Sequence, residues 1–223
     1  MKLQTILFLI VILVLNTNIF AQDHIPNTPE ARWSLAMYLE KELEEKKVPK
    51  KEIELAVLFG VIAGTDKNDQ ETTVKAEKLL GKASKANPKN YTLMATHGSV
   101  LTMLARYEKN QGKQLRYVKL GTRKLDRAVK RDPNNIGVLQ QRANNSLHLP
   151  PFLNRAHFAE KDFQKILILA GNKKSPEFKA MVHFKLGLAY EMTQKNKKAK
   201  EYWQKAANLN VPYWSEKAQE HLN

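Results

Sequence analysis

Two arginines, a pair of asparagines and a histidine gather in one short run, Arg142-Ala143-Asn144-Asn145-Ser146-Leu147-His148-Leu149-Pro150-Pro151-Phe152-Leu153-Asn154-Arg155. Arg142, Asn145 and His148 are spaced three apart. On a helix each such step drifts only about 60°, so the three share one broad face. Pro150 and Pro151 force extended backbone, and the resulting turn is expected to bring Arg155 back toward His148. Clustered donors of this kind grip a carboxylate or a phosphate. The same residues also have a structural reading. Asn145 and His148 would then tie down the irregular turn by bonding backbone carbonyls, with Arg142 as a brace.

Other chemistry finds little support. The chain has no cysteine, so neither a disulfide framework nor a thiolate metal site is available. None of its six histidines forms the i, i+4 pair of a helical zinc site. Asp66, Asn68 and Asp69 begin like a calcium loop, but Gln70 and Glu71 stand where a third ligand and a glycine are needed. Nucleophile elbow, phosphate loop and dinucleotide fingerprint are all missing. No metal, no cofactor and no enzymatic activity are therefore expected.

Charge is the next clue. The chain carries 37 basic against 22 acidic residues, a net +15. Between Gln111 and Arg131, Leu115, Val118, Leu125, Ala128 and Val129 fall on one side of a helical wheel, while Arg116, Lys119, Arg123, Arg127 and Lys130 fall on the other. Lys75, Lys78, Lys82 and Lys85 make a second stripe. Such stripes suit an acidic partner or a phosphate-bearing lipid, or they are simply solvated outer faces.

The elements that must position these residues are helices. Apolar residues recur every three or four positions through nearly the whole chain, and no alternating β-branched run bounded by hairpin turns occurs. The periodicity predicts helices over 28–47, 51–64, 71–86, 90–109, 111–131, 135–148, 156–170, 176–194, 196–209 and 213–222.

These helices repeat. Leu80, Ala83, Lys85, Pro88 and Asn90 recur 45 residues later as Leu125, Ala128, Lys130, Pro133 and Asn135, and Ala76 pairs with Gly121 at the same offset. Near the C-terminus stand Leu186-Gly187, Tyr190, Ala199, Trp203, Ala206 and Pro212. This last set resembles the tetratricopeptide repeat in both residue type and spacing, with Pro212 one residue late. Gly64, Ala76, Ala83 and Pro88 keep the same spacing, whereas Lys67 stands where the family has an aromatic. A weaker unit runs from Asn135 to Asn172, marked by Ala143, Ala159 and Phe163.

Small residues such as Gly187 and Ala199 are expected to face each other and let two antiparallel helices approach, with Tyr190 and Trp203 filling the space beside them. The glycines of the second unit, Gly98 and Gly121, are separated by eleven residues more than the family spacing, which predicts that both helices of that hairpin are lengthened around a tip at Asn110-Gln111-Gly112. The resemblance implies an all-α helix-hairpin solenoid of about four units, with a leading helix and a C-terminal cap helix. It also implies a concave groove lined from the first helix of each hairpin. Counted from Gly98, the groove positions hold Thr92, Ser99 and Thr102; counted from Ala143, they include Asn144 and His148.

The N-terminus speaks to location. Lys2, the apolar run Ile6 to Leu15, the polar break Asn16-Thr17-Asn18 and the small Ala21 follow the layout of a cleavable secretory signal over residues 1–21. The run is short for a spanning helix, though an uncleaved anchor is the rival reading, and no cysteine follows it for lipid attachment. The expected product is a helical repeat domain over 22–223 in the periplasm or outside the cell. Three functions fit: an adaptor for a protein or peptide partner, acidic by charge complementarity; a capture protein for a small anionic solute feeding a transport system; or an enzyme without a recognisable motif. The adaptor is favoured. An anionic envelope surface is a further partner, and export disfavours nucleic acid.

Overall fold

The computed structural model describes residues 25–66 and 69–223. The expected signal segment with its break at Ala21, as well as Lys67 and Asn68, lie outside these residues. Ten α-helices follow one another among the described residues: α1 Pro29–Glu45, α2 Pro49–Thr65, α3 Gln70–Ala86, α4 Tyr91–Leu104, α5 Gln111–Arg131, α6 Ile136–His148, α7 Ala156–Ala170, α8 Pro176–Met192, α9 Asn196–Ala207 and α10 Trp214–Glu220. Local chemistry sets most of their starts. The side chains of Thr28, Asp69, Asn90, Asn110, Asn135 and Ser175 each accept a hydrogen bond from a backbone N–H in the first turn that follows. Pro29, Pro49 and Pro176 open three helices where a missing N–H costs nothing. None of these helices is long and apolar enough to cross a membrane.

The helices pack in consecutive antiparallel pairs, α2 with α3, α4 with α5, α6 with α7 and α8 with α9, between the leading α1 and the capping α10. This is the all-α hairpin solenoid expected. Two apolar clusters fill it. One joins α1 to α4 around Phe59, Ile62, Leu80 and Val100, and the other runs from α4 to α10 around Leu125, Leu139, Phe163, Leu186 and Tyr190. Ten of the 14 residues of α4 are buried, so this helix is shared by both clusters. Arg32 fastens α1 to the end of α2, with Nε and Nη2 at 2.6 and 2.5 Å from the Asp66 carboxylate.

The repeat residues mostly behave as their sizes require. Ala76, Ala128, Ala143, Ala159 and Ala206 are fully buried, and Ala83, Ala199, Tyr190 and Trp203 nearly so. Gly98 and Gly121 meet at the α4–α5 crossing, where a Cβ on Gly98 would stand 2.7 Å from the Gly121 carbonyl. Three expectations shift. Gly187 makes room for the Trp203 indole, so an aromatic ring occupies the space that Ala199 was expected to face. Gly64 is exposed; the close approach in α2 is made by Gly60, whose added Cβ would lie 2.6 Å from Thr96 on α4. Helix α9 ends at Ala207, two residues short of the predicted 209, and beyond it Asn210 and Tyr213 turn the chain with φ of 50° and 63°.

The long second hairpin also differs from expectation. Its first helix stops at Leu104 and passes through a 3-10 turn, Ala105–Tyr107, so the extra length falls on α5 alone. Asn110 caps α5 at the tip. All the buried residues of α5 lie at or beyond Gly121. Its first ten residues run beside the end of α4 and the 3-10 turn, where the Gln114 side chain donates to the Glu108 carbonyl at 2.6 Å, and form a half-open side wall.

Candidate functional site

That wall creates a cavity. Helix α4, the start of α5, helix α6 and the 3-10 turn Pro151–Leu153 enclose a groove of about 690 Å³. Its floor is polar and stitches two hairpins together. Ser99 on α4 donates to the Gln141 side chain on α6 at 2.8 Å, and Asn145 on α6 donates a short hydrogen bond to the Thr102 hydroxyl on α4. Thr102 in turn donates to the Ser99 carbonyl at 2.7 Å. The other Asn145 side-chain atom, Oδ1, is buried without a hydrogen-bond partner in the protein. Met103, Leu115, Val118, Leu149, Phe152 and Leu153 supply the apolar walls. Phe152 is 82% exposed and Leu115 54%.

The titratable groups of the lining are basic. Arg106 and His148 line the groove and, among the described residues, no carboxylate does. Beside Asn144 lies the Lys185 ammonium of α8, which donates to Asn144 Oδ1 at 2.7 Å and sits 5.7 Å from the Trp214 ring centre. Burial pushes the Lys185 amine down to about 8. His148, exposed at the rim but partly desolvated by its neighbours, is lowered as well, first by that desolvation and then by Lys185 and Arg106, so its ring is neutral near pH 7 and the positive charge comes from Arg106 and Lys185.

Of the residues expected at the site, Ser99, Thr102, Asn144, Asn145 and His148 come together in the groove. Thr92 does not line it; its carbonyl accepts from Thr96. Arg142 and Arg155 turn away. Arg142 Nε and Nη2 each lie 2.7 Å from the Asp162 carboxylate on α7, and Arg155 holds both oxygens of Asp126 at 2.9 and 2.7 Å. Phe158 stacks under both guanidiniums, at 4.0 Å from Arg155 and 4.8 Å from Arg142. Arg155 therefore turns toward Asp126 and Phe158, not His148 as the double proline suggested; Arg142 braces α6 to α7, and Arg155 ties the linker between them to α5. Gln141 and Arg106 escaped the sequence reading. Gln141 is the immediate neighbour of Arg142 yet lines the groove, and Arg106 enters it only because α4 gives way to a 3-10 turn.

No protein-family model matches the chain, and no curated protein does. Among solved structures, the thermophilic TPR protein TTC0263 of Thermus thermophilus superposes with a TM-score of 0.66 at 15% identity, over 86% of this chain and 91% of that one. The fold is that of a tetratricopeptide-repeat protein. MamA from AMB-1 matches at a TM-score of 0.49 and 16% identity, over 80% of this chain and 96% of that one. A double mutant of MamA from RS-1 has a TM-score of 0.49 and 17% identity, with coverage of 82% and 85%. In this tetratricopeptide-repeat fold the groove lies between the first helices of two neighbouring hairpins, α4 and α6. The unusual feature is its side wall, built from the overlong α5.

Proposed function

We propose that this chain is an exported adaptor whose groove receives an extended segment or helix of a protein partner, with an acidic side chain seated near His148 and Arg106. The observation that carries this reading is the pairing of a polar, carboxylate-free floor with apolar walls whose largest side chains, Phe152 and Leu115, stand open to solvent. Exposed apolar groups around a concave polar centre are what a macromolecular partner buries. A small anionic solute is the second reading, supported by the cationic groups and by a volume within the usual range for small-ligand pockets, roughly 300–1,000 Å³. A solute, however, leaves the Phe152 ring in water. The reading of export rests on the N-terminal sequence, from Lys2 to Ala21. We propose no catalytic role.

His148→Glu tests the groove. The side chain is exposed, so the fold tolerates the change, while a like charge against an acidic partner lowers affinity by at least about tenfold. In a cross-linking pull-down from the native envelope, the wild type is expected to recover a defined protein and to begin at Gln22, and the variant to lose that protein. Equal recovery by both would place the partner elsewhere. Thermal stabilisation of the wild type by a small anion, lost in the variant, would favour the solute reading.

A further inference from the structure

Helix α5 presents a second surface, facing away from the groove. At about 100° per residue, Lys113, Arg116, Lys119, Arg123, Arg127, Lys130 and Arg131 fall within one third of the helix circumference. All seven are exposed, and among the described residues none forms an ion pair. No carboxylate lies within that arc. The nearest on the helix, Asp126 at its flank, is held by Arg155 and Arg142. The lysine stripe of α3 differs, because Lys75 and Lys82 take Glu40 and Glu52 at 2.6 and 2.8 Å. Within the α5 arc stands one apolar side chain, Leu120, 40% exposed.

We propose that this face of α5 docks onto an anionic lipid surface. The helix has 21 residues, which at 1.5 Å per residue makes a line of charge about 30 Å long. To a folded acidic protein the face offers a shallow, open depression between Gly112 and Arg123 to key into. A bilayer instead supplies mobile phosphates that gather under every one of these long, flexible cations. The arc contains no aromatic residue on which nucleobases stack, as single-strand binding requires. Leu120, flanked by Lys119, Arg116 and Arg123, is placed to enter the acyl boundary while their ammonium and guanidinium heads remain at the phosphates. The groove opens on the other side of the same helix, between α4, α5 and α6, so a membrane-docked molecule keeps it accessible.

The test is co-sedimentation of the mature protein with vesicles. We expect binding to mixed phosphatidylglycerol–phosphatidylcholine vesicles, no binding to pure phosphatidylcholine, and release by high salt. Each basic side chain near an anionic surface is worth roughly fivefold in partitioning. The double reversal Arg116→Glu with Arg123→Glu is therefore expected to weaken binding by well over about tenfold. Lys78→Glu with Lys85→Glu makes the same change in net charge on exposed residues of α3 and is expected to weaken it far less. Equal losses from the two pairs would reduce the effect to overall charge and overturn the proposal. Equal binding to neutral vesicles, or to polyglutamate with no vesicle binding, would overturn it too. None of these readouts involves the groove partner.

Discussion

Replacing Arg142 with alanine is expected to cost about 3–5 kcal/mol of stability, the penalty for stranding one member of a buried ion pair. Asp162 is only 2% exposed, and both its oxygens are satisfied by Arg142. The variant would also strip one face from the Phe158 stack. A pH dependence distinguishes this mechanism from simple loss of packing. Burial already pushes the Asp162 carboxyl up, with Arg142 pulling against it. Without Arg142 the upward shift grows. An acid with a raised folded-state pKa contributes stability that is present below its unfolded pKa and lost as pH rises through its folded pKa. The deficit of Arg142→Ala relative to wild type should therefore shrink as the pH falls from neutral into mild acid, and adding Asp162→Asn should recover part of it. Chemical denaturation at both pH values measures this. A variant of normal stability that no longer binds its partner would instead make Arg142 a recognition residue.

Gly121→Val is the second large effect. An added Cβ there would collide with the Gly98 carbonyl, stand 2.5 Å from the Thr102 methyl and lie 3.0 Å from the Thr102 amide. Backbone atoms cannot rotate aside, so the loss should reach or exceed the top of the usual overpacking range of about 1–3 kcal/mol. The groove should suffer with it, since Thr102 belongs to the floor. Gly64→Ala is the matched contrast. Its new Cβ would meet only the flexible end of Met103 at 3.1 Å, on an exposed helical position. Alanine's better helix propensity, worth up to about 1 kcal/mol, should leave that variant unchanged or slightly more stable. Melting temperatures of the two variants decide the point. Equal losses would mean that the hairpin register is misassigned.

The fold was legible in its apolar periodicity and where a residue's size had only one use. Apolar periodicity alone put helix starts at 90, 111 and 135, within a residue of where Asn90, Asn110 and Asn135 cap α4, α5 and α6. Gly98 and Gly121 announce a close crossing because nothing larger fits. The extra length of the second hairpin was visible as a spacing. Its distribution between the two helices was not, because ending α4 at Leu104 depends on the tight turn through Ala105–Tyr107. The site was half legible. Ser99, Thr102, Asn144 and His148 fell into the groove because repeat geometry fixes which face of a first helix is concave, although Thr92, counted the same way, did not; Asn145 came from the polar run instead. Arg142 and Arg155 did not, because their carboxylate partners, Asp162 and Asp126, lie on other helices and only packing brings them near. Lys185 was invisible for the same reason: a lysine inside the run Phe184 to Leu186 looks like surface charge until Asn144 and Trp214 close over it.

The central claim is that the groove between α4 and α6 is where a partner protein sits. A photoreactive phenylalanine analogue placed at position 152 tests it most directly, because Phe152 is 82% exposed and lines the groove. The same analogue at Ile168, 79% exposed on α7 and outside the groove, is the control. On illumination in the native cell, position 152 is expected to yield one discrete cross-linked protein and position 168 none. Capture of that protein from position 168 but not from 152 would contradict the account.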